Sequence, residues 1–350
     1  MTIDKLAKLA NVAQSTVSKA FSGSPEISEK TRERIFQIAK EHGCFDKYNK
    51  KKFKKRVIAV ICPEIESEHY SSLVKHLMKH TEERDAIMAL SITGFDPEKE
   101  NELYTYYSCY CRIDGIIVID PCRKYSNDAM LPTVYISSDG SHKEADNLHF
   151  SLEKAMYDIL LTLKKLGHTH IGFAGEPLTP SEQEHFQNAA AALSIPVNSS
   201  QIKISQKRFE EAGRDAVRQW INEDCLPTAI IAAYDYIAIG VMKELSQNGY
   251  SVPEDVSVVG INDITLAEFL DTPLSSVSYP KEELCREAVS LIFKKIDNQY
   301  YRARRITEIP ARFIPRESIG AVKKKDYKIR KKLSPLLSKQ KTQLFIFNSP

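Results

Sequence analysis

Apolar side chains in the first 43 residues recur every three or four positions, in three short stretches separated by polar turns. This spacing predicts three helices, the second running from Gln14 to Phe21 and the third beginning after Ser28, its expected N-cap. The residues expected on the inner faces are Ile3, Leu6 and Ala10, then Val17 and Phe21, then Ile35, Ile38 and Ala39. Two short helices joined by a tight turn and braced by a third predict a helix-turn-helix.

From Val57 onward the pattern changes to continuous apolar runs that alternate with amphipathic stretches. Such runs predict buried parallel strands with helical connections, the arrangement found in doubly wound sheets. The runs are VIAVIC (57–62), AIMALSI (86–92), GIIVID (115–120), TVYIS (133–137), HIGFAG (170–175), IKIS (202–205), AIIAA (229–233) and VSVVG (256–260). The runs fall into two successive series of alternating strands and helices. The chain is expected to pass from one series to the other near residues 150–165 and 275–280, which predicts two lobes and a cleft between them.

The predicted fold is therefore an all-α helix-turn-helix head joined to an α/β body of two doubly wound parallel-sheet lobes. We expect the head at residues 1–43, a basic hinge or linker at 44–56 and the body at 57–320. Residues 321–350 are basic, contain Pro335 and show no heptad repeat of leucines, so we predict a mostly disordered tail there.

The net charge of +3 conceals an uneven distribution of charge along the chain. Residues 1–56 hold 14 Lys and Arg against 6 Asp and Glu, and residues 321–350 hold 9 against 1, so the body between them is acidic. A basic head on an acidic body fits a protein that offers one end to a polyanion and keeps the rest away from it.

The outer face of the second predicted helix carries short hydrogen-bonding groups and one cation. These are the groups that reach base edges and phosphates when a helix enters a major groove. The residues are Gln14, Ser15, Thr16, Ser18 and Lys19. A small three-helix bundle with an ordinary solvated face is the competing interpretation of the same pattern.

Cysteine usage and hydropathy narrow the possible classes of protein. The seven cysteines include no CxxC pair and no histidine cluster accompanies them, which favours reduced structural thiols, with no metal site and no cofactor. No apolar run reaches the about 20 residues of a membrane span, so no membrane partner is expected. The chain is charged from Asp4 onward and shows no apolar signal region, which predicts a cytoplasmic protein.

Polar residues follow many of the predicted strands of the body. Ligands of open parallel sheets bind beyond the carboxyl ends of the strands, so these residues are candidates for a ligand cleft. They include His69, Tyr70, Asp120, Glu176, Tyr234, Asp235 and Asn262. Each residue alone is more often a loop-satisfying polar group, and only their alignment on one surface favours a binding site.

The run LAKLANVAQSTVSKAFSGSPEISEKTRERI (6–35) resembles the DNA-binding head of the LacI/GalR family of bacterial transcription regulators. The resemblance implies recognition of a double-stranded DNA operator by the second helix. Gln14, Ser15 and Lys19 are the candidates for base contacts. Phosphate contacts are expected from Thr2, Thr16 and Ser18.

The linker CFDKYNKKKFKKR (44–56) departs from the family pattern. In the family this segment forms a hinge helix on the operator, and a leucine from it enters the minor groove. Phe53 stands at the place of that leucine, and Asp46-Lys47 and lysines replace other usual residues. An aromatic wedge at Phe53 is physically reasonable, but a solvated tether is the other interpretation of such a lysine run.

The body is similar to the family's effector domain and to periplasmic sugar-binding proteins. TAIIAAYDYIAIGVMKEL (228–245), VPEDVSVVGINDI (252–264) and TPLSSV (272–277) carry this resemblance. The cleft differs from the family's sugar-binding pattern at three positions. His185 is nearest to the place of an expected arginine, Tyr234 replaces an asparagine, and Asn262 replaces an aspartate. Tyr234 could stack on a ligand ring and His185 could pair with an anionic group, and a galactoside remains a possible effector.

These observations predict a sequence-specific DNA-binding regulator, a repressor of carbohydrate-utilisation genes, that acts as a homodimer and responds to a small ligand in the cleft. A regulator of the same fold that answers to a non-sugar metabolite or to a protein partner is the first alternative. A solute-binding module is another alternative, although it would need an export signal. An enzyme is not expected, because no Gly-rich phosphate loop, HExxH or GxSxG motif occurs.

Overall fold

The structure, a computed structural model, describes residues 1–22, 24–48, 55–122, 131–137, 146–298 and 306–322. The chain divides into two compact units, Met1–Arg56 and Val57–Pro350. Phe53 and the predicted tail from residue 323 onward lie outside the described residues. The proposals of a hinge wedge and of a disordered tail therefore stay predictions.

The first unit contains the three helices that the sequence predicts. They are α1 (Ile3–Leu9), α2 (Gln14–Ser22) and α3 (Glu29–Glu41), followed by the short helix α4 (Phe45–Tyr48). Thr2 and Ser28 cap α1 and α3, because their side chains accept hydrogen bonds from the backbone N–H groups of Lys5 and Thr31. Leu6, Val17 and Ile35 are fully buried and form the centre of the small core.

Residues directly after α3 pack into this core. Cys44 is buried, and the ring of Phe45 lies against Phe21 and Phe36, with ring centroids 5.8 and 5.1 Å apart. The Tyr48 hydroxyl donates to the carbonyl of Met1 at 2.7 Å. These residues were interpreted as the beginning of a polar linker, yet residues 44–48 complete the head. The many lysines of this stretch make it look polar, although Cys44, Phe45 and Tyr48, at positions i, i+1 and i+4, supply side chains to the core of the head.

The second unit alternates strands and helices from Val57 onward. The strands are β1 (Val57–Cys62), β2 (Ile87–Ile92), β3 (Gly115–Ile119), β4 (Thr133–Ser137), β5 (Asn147–Ser151), β6 (Ile171–Gly175), β7 (Ile202–Ile204), β8 (Ala229–Ala232), β9 (Ser257–Val259), β10 (Ser276–Ser278), β11 (Ile306–Pro310) and β12 (Arg312–Ile314). The helices are α5 (Glu68–Glu82), α6 (Pro97–Thr105), α7 (Glu153–Lys165), α8 (Pro180–Ala192), α9 (Phe209–Asn222), α10 (Asp235–Gln247) and α11 (Lys281–Asp297).

The strands of this unit form two parallel sheets, one in each lobe. The first lobe has the order β11-β5-β4-β3-β1-β2, and the second has the order β7-β6-β8-β9. Strands β10 and β12 pair antiparallel, and Ser275 bridges to Val259 at the edge of the second sheet. The predicted class of an α/β body with two doubly wound lobes is confirmed.

The chain passes between the lobes in three places. It leaves the first sheet after β5 to enter α7, returns after β10 to enter α11, and crosses again between β11 and β12. The strand β5 was not predicted, because its sequence NLHFS places polar side chains in a run that the other strands keep apolar. The crossings bring the carboxyl ends of both sheets toward the same space, where the cleft lies.

Candidate functional site

The head presents its candidate DNA-contacting residues at the surface. Thr2, at the N-cap of α1, is exposed, and α2 exposes Gln14, Ser15, Ser18 and Lys19, with Thr16 half-buried. The opposite side of α2 is anchored, because Val17, Ala20 and Phe21 are buried in the core of the head. The anchoring fixes which side chains of α2 face outward.

Two of these exposed side chains contact acidic residues that the sequence interpretation did not include. The Gln14 Nε2 donates to Asp4 Oδ1 at 2.9 Å, and the Lys19 ammonium forms an ion pair with Glu26. The hydrogen bond from Gln14 and the neighbouring Lys8 ammonium lower the pKa of Asp4. A contact of Gln14 or Lys19 with DNA would require that side chain to leave its acidic partner.

The second unit contains a cavity of about 390 Å³ between its two lobes. This volume is within the range of small-molecule sites in proteins. Seven of the eight cleft candidates named from the sequence line the cavity: His69, Tyr70, Asp120, Glu176, Tyr234, Asp235 and Asn262. The rule that ligands bind at the carboxyl ends of parallel strands thus points to residues that surround one cavity, and their contact with an effector stays a prediction.

His185 is the exception, and its predicted place in the cleft is wrong. It lines a second cavity together with Glu153, Tyr157 and Glu308, and its Nδ1 donates to the carbonyl of Ser181 at 2.7 Å. Only the first turn of α8, from Pro180 to Glu182, reaches the cleft. His185 lies about one helical turn further along the axis, too deep along α8 to face a cleft ligand.

The cleft contains an arginine that the sequence interpretation missed. Arg208 precedes α9, and its Nε donates to Glu176 Oε1 at 3.3 Å. The guanidinium lies 4.5 Å from the ring centroid of Phe209 and 5.1 Å from that of Phe95, in the opposite lobe. The resemblance placed the cleft arginine after β6, whereas in this chain the arginine comes from the loop after β7.

Tyr234 belongs to the same cluster. Its hydroxyl donates to Glu176 Oε1 at 2.8 Å and accepts from the backbone N–H of Phe209 at 3.1 Å. Burial and the adjacent Glu176 carboxylate raise the pKa of Tyr234, so the hydroxyl stays protonated. With its hydroxyl engaged by the protein, Tyr234 has its ring left for contact with a ligand.

His69 and Asn262 lie where the lobes meet. The Tyr279 hydroxyl hydrogen-bonds with Nδ1 of His69 and lies 3.5 Å from Oδ1 of Asn262. The ring of Tyr279, in the crossover before α11, stacks on Phe150, in β5, with centroids 4.0 Å apart. Burial and the nearby Lys281 ammonium lower the pKa of His69 to about 3, so its imidazole is neutral. Both residues therefore help to join the lobes at the crossovers.

Further contacts connect the lobes across the mouth of the cleft. Glu68, at the start of α5, accepts hydrogen bonds from the backbone N–H and the hydroxyl of Thr265, at 2.8 and 2.7 Å. The backbone N–H of Glu68 donates to the hydroxyl of Tyr236 at 3.4 Å. Together with the stacking of Arg208 on Phe95, these contacts join the two lobes.

Asp235 is fully buried, and both of its carboxylate oxygens are engaged. Oδ2 accepts from the backbone N–H of Ile264 at 2.8 Å, and Oδ1 accepts from the Ser276 hydroxyl at 2.6 Å. Burial raises the pKa of Asp235 to about 7. Although Asp235 lines the cavity, its carboxylate connects α10 to the loop after β9 and to β10.

Replacing Asp235 by asparagine is expected to change how stability depends on pH. The folded-state pKa of about 7 lies above the unfolded value of about 3.9, so the carboxyl binds its proton more tightly in the folded protein. Its ionisation therefore destabilises the fold as pH rises from about 4 to about 7. Thermal unfolding of both proteins across this range should show the wild type losing stability relative to Asp235→Asn. Parallel curves would contradict the raised pKa, because other groups titrate alike in both proteins.

Within the described ranges, no helix is long and apolar enough to cross a membrane. The same ranges contain no group of three or more His, Cys, Asp or Glu side chains that could hold a metal ion. All seven cysteines are free thiols, and Cys44, Cys62 and Cys285 are buried.

The head is a helix-turn-helix, and the two-lobed α/β body contains an interlobe cavity. This combination is typical of transcription regulators that bind DNA with the head and a small ligand with the body. Two family descriptions match the chain. The bacterial regulatory proteins of the lacI family match residues 2–44, and the periplasmic binding protein-like domain matches residues 160–319. The chain therefore carries a lacI-family helix-turn-helix domain and a periplasmic-binding-protein-like domain, and LacI-family regulators are among its relatives.

Individual proteins with known names show the same organisation. The chain is 27% identical over 302 residues to the HTH-type transcriptional regulator DegA of Bacillus subtilis, covering 82% of this chain and 88% of DegA. It is 26% identical over 337 residues to the ribose operon repressor of Haemophilus influenzae, covering 92% and 99%. The structure matches the lac repressor dimer bound to operator and the anti-inducer ONPF with a TM-score of 0.66 at 20% identity, covering 92% and 99%.

Proposed function

We propose that this regulator is a repressor that binds a pseudo-palindromic operator as a homodimer, with one head on each half-site. The observation that carries the proposal is the exposed polar face of α2, from Gln14 to Lys19, on a strongly basic head. The names of the ribose operon repressor and of the operator-bound lac repressor dimer support it. Binding to operator DNA would place the protein in the cytoplasm.

The side chains of the head divide into two proposed roles. Gln14, Ser15 and Lys19 read base edges, because amide, hydroxyl and ammonium groups can distinguish bases in the major groove. The other three contact phosphates and fix the register of the head on the duplex: Thr2, Thr16 and Ser18. Phe53, outside the described residues, remains the predicted minor-groove wedge.

A ligand in the cleft regulates the binding of the protein to DNA. A small molecule in the cavity binds between Tyr70, Asp120 and Tyr234, and its affinity differs between open and closed lobes because closure brings Arg208 onto Phe95. Only such a difference in affinity allows a ligand to shift the equilibrium between two arrangements. The carbohydrate-utilisation genes predicted as targets fit the name of the ribose operon relative.

Selection of DNA by the full-length protein from a random duplex library tests the proposal. We expect enrichment of an inverted repeat whose half-sites lie about one or more helical turns apart, as two heads of a dimer require. A variant with alanine at Gln14, Ser15 and Lys19 should enrich no common sequence while still binding the pool weakly through phosphates. Enrichment of no motif by the wild-type protein, or of a single unrepeated half-site, would contradict a dimeric operator-binding repressor.

A further inference from the structure

The side chains that line the cleft carry an excess of negative charge. Among the described residues, the lining includes one arginine, Arg208, and five acids: Glu64, Asp120, Glu176, Glu182 and Asp235. These described acids would repel an anionic ligand and attract a cationic one. The balance of charge therefore separates ligand classes that cavity size alone cannot separate.

Two of the five carboxylates are engaged by the protein itself. Glu64 accepts from the backbone N–H groups of Glu66 and Ser67 and from the Ser67 hydroxyl, at 2.6 to 3.1 Å, so it organises the turn before α5. Asp235 is held by Ile264 and Ser276, as described above. Neither carboxylate requires a ligand to complete its hydrogen bonds.

Glu176 differs from these two acids. Its side chain is 2% exposed, and Oε1 receives hydrogen bonds from Tyr234 and Arg208. Oε2 is buried and has no hydrogen-bond partner among the residues that the structure describes. Proteins rarely leave a buried carboxylate oxygen without a donor. An ionised carboxylate can only accept hydrogen bonds, so the missing partner must be a donor.

Arg208 cannot easily supply that donor. Its guanidinium is packed against the rings of Phe209 and Phe95, and only its Nε reaches Glu176, on the Oε1 side. Because Phe95 belongs to the first lobe and Arg208 to the second, opening of the lobes separates this pair and gives a ligand access to Glu176. A ligand that donates to Oε2 then becomes enclosed when the lobes close again.

The walls of the cleft supply flat apolar surfaces beside this carboxylate. Tyr70, Phe95, Phe209, Tyr234 and Tyr236 all line the cavity. Aromatic faces attract cations and also stack on the apolar faces of sugar rings. A carboxylate next to aromatic rings is thus suited to a molecule that carries both a positive charge and a ring.

We infer that the effector is an amine-bearing sugar-sized molecule whose protonated amine donates to Oε2 of Glu176 while its ring packs on the aromatic walls. This inference rests on the proposed function, because it names the ligand class of the same cleft. Charge-assisted hydrogen bonds are about twice as strong as neutral ones, so the amine should contribute about tenfold or more in affinity over a hydroxyl at the same place.

Matched ligand sets test the inference on the full-length protein. The first set is glucosamine, glucose, N-acetylglucosamine and glucose 6-phosphate; the second is the disaccharide of glucosamine, its N-acetylated form and cellobiose. Thermal shift and calorimetry at neutral pH should show the free amine of at least one set binding about tenfold or more tighter than its hydroxyl and acetylated partners. The phosphate should bind weakest, because the excess of acids repels it.

Glu176→Gln should remove most of the preference for the amine while binding of the neutral partner changes little. Glu184→Gln, at an exposed position of α8 outside the cavity, is the matched control and should keep the preference. If Glu176→Gln does not fold, the wild-type sets decide alone. Equal or weaker binding of the amines, or no binding by any member, overturns the inference. Operator binding by the same preparation shows separately whether the proposed function stands.

Discussion

Replacing Lys19 by alanine is expected to weaken binding to the selected operator by about 10- to 100-fold and to relax the preference at one base pair of each half-site. A well-placed contact to a base edge contributes about 1–3 kcal/mol of discrimination, and a dimer makes the contact twice. Lys19 is exposed on α2 and reaches out as far as Glu26, so its ammonium can move to a base without unfolding the head. Gel-shift titration of the operator and of a scrambled duplex measures both effects.

Two further head variants distinguish base-specific contacts from the non-specific attraction between the basic head and DNA. Lys30→Ala removes the same charge from an exposed position of α3 and should weaken both duplexes alike. Glu26→Gln leaves Lys19 without its acidic partner and removes a charge that repels phosphates, so it should strengthen binding to both duplexes. An unchanged operator preference in Lys19→Ala would contradict the assignment of α2 as the reading helix.

Replacing Gly240 by alanine is expected to destabilise the second lobe by about 3 kcal/mol or more, because overpacking against backbone cannot be relieved by a side-chain rotation. A Cβ at Gly240, on α10, would overlap the backbone carbonyl of Glu210, on α9. A Cβ at Gly213 would meet the backbone of Ile237 in the same way. The two glycines therefore allow α9 and α10 to approach more closely than side chains would permit.

Chemical denaturation followed by circular dichroism measures this loss, and Ser246→Ala, at an exposed position of α10, provides the control. We expect the control to change the free energy of unfolding by less than about 0.5 kcal/mol. A loss below about 1 kcal/mol in Gly240→Ala would show that the two helices can separate at little cost, and the close contact would then not support the second lobe.

The fold was predictable because its signals are local. The helical spacing of Leu6, Val17 and Ile35 and the apolar runs of the strands each reflect burial of one segment, which the sequence displays directly. The strand β5 was not predicted because its sequence is partly polar. It lies between β11 and β4, and the sequence pattern does not show this pairing. Similarly, Cys44, Phe45 and Tyr48 join the head core although lysines dominate the composition of that stretch.

The cleft was predictable in position but not in chemistry. His69, Asp120 and Tyr234, chosen because they follow parallel strands, line one cavity. The tertiary packing determines what those side chains do, and sequence spacing does not encode it. The carboxylate of Asp235 accepts hydrogen bonds from Ile264 and Ser276. Arg208 reaches the cleft from a loop, where the sequence shows no periodic pattern that would predict its position.

Binding of a ligand in the cleft is expected to change the affinity of the helix-turn-helix heads for operator DNA. Calorimetry of cleft-ligand binding to the full-length protein, alone and saturated with operator, tests it together with operator titration with and without ligand. Coupling is reciprocal, so ligand and operator should change each other's affinity by the same factor, of about 5- to 150-fold. The equality of the two factors checks the measurements, and an operator affinity that stays the same with the cleft occupied would contradict the claim.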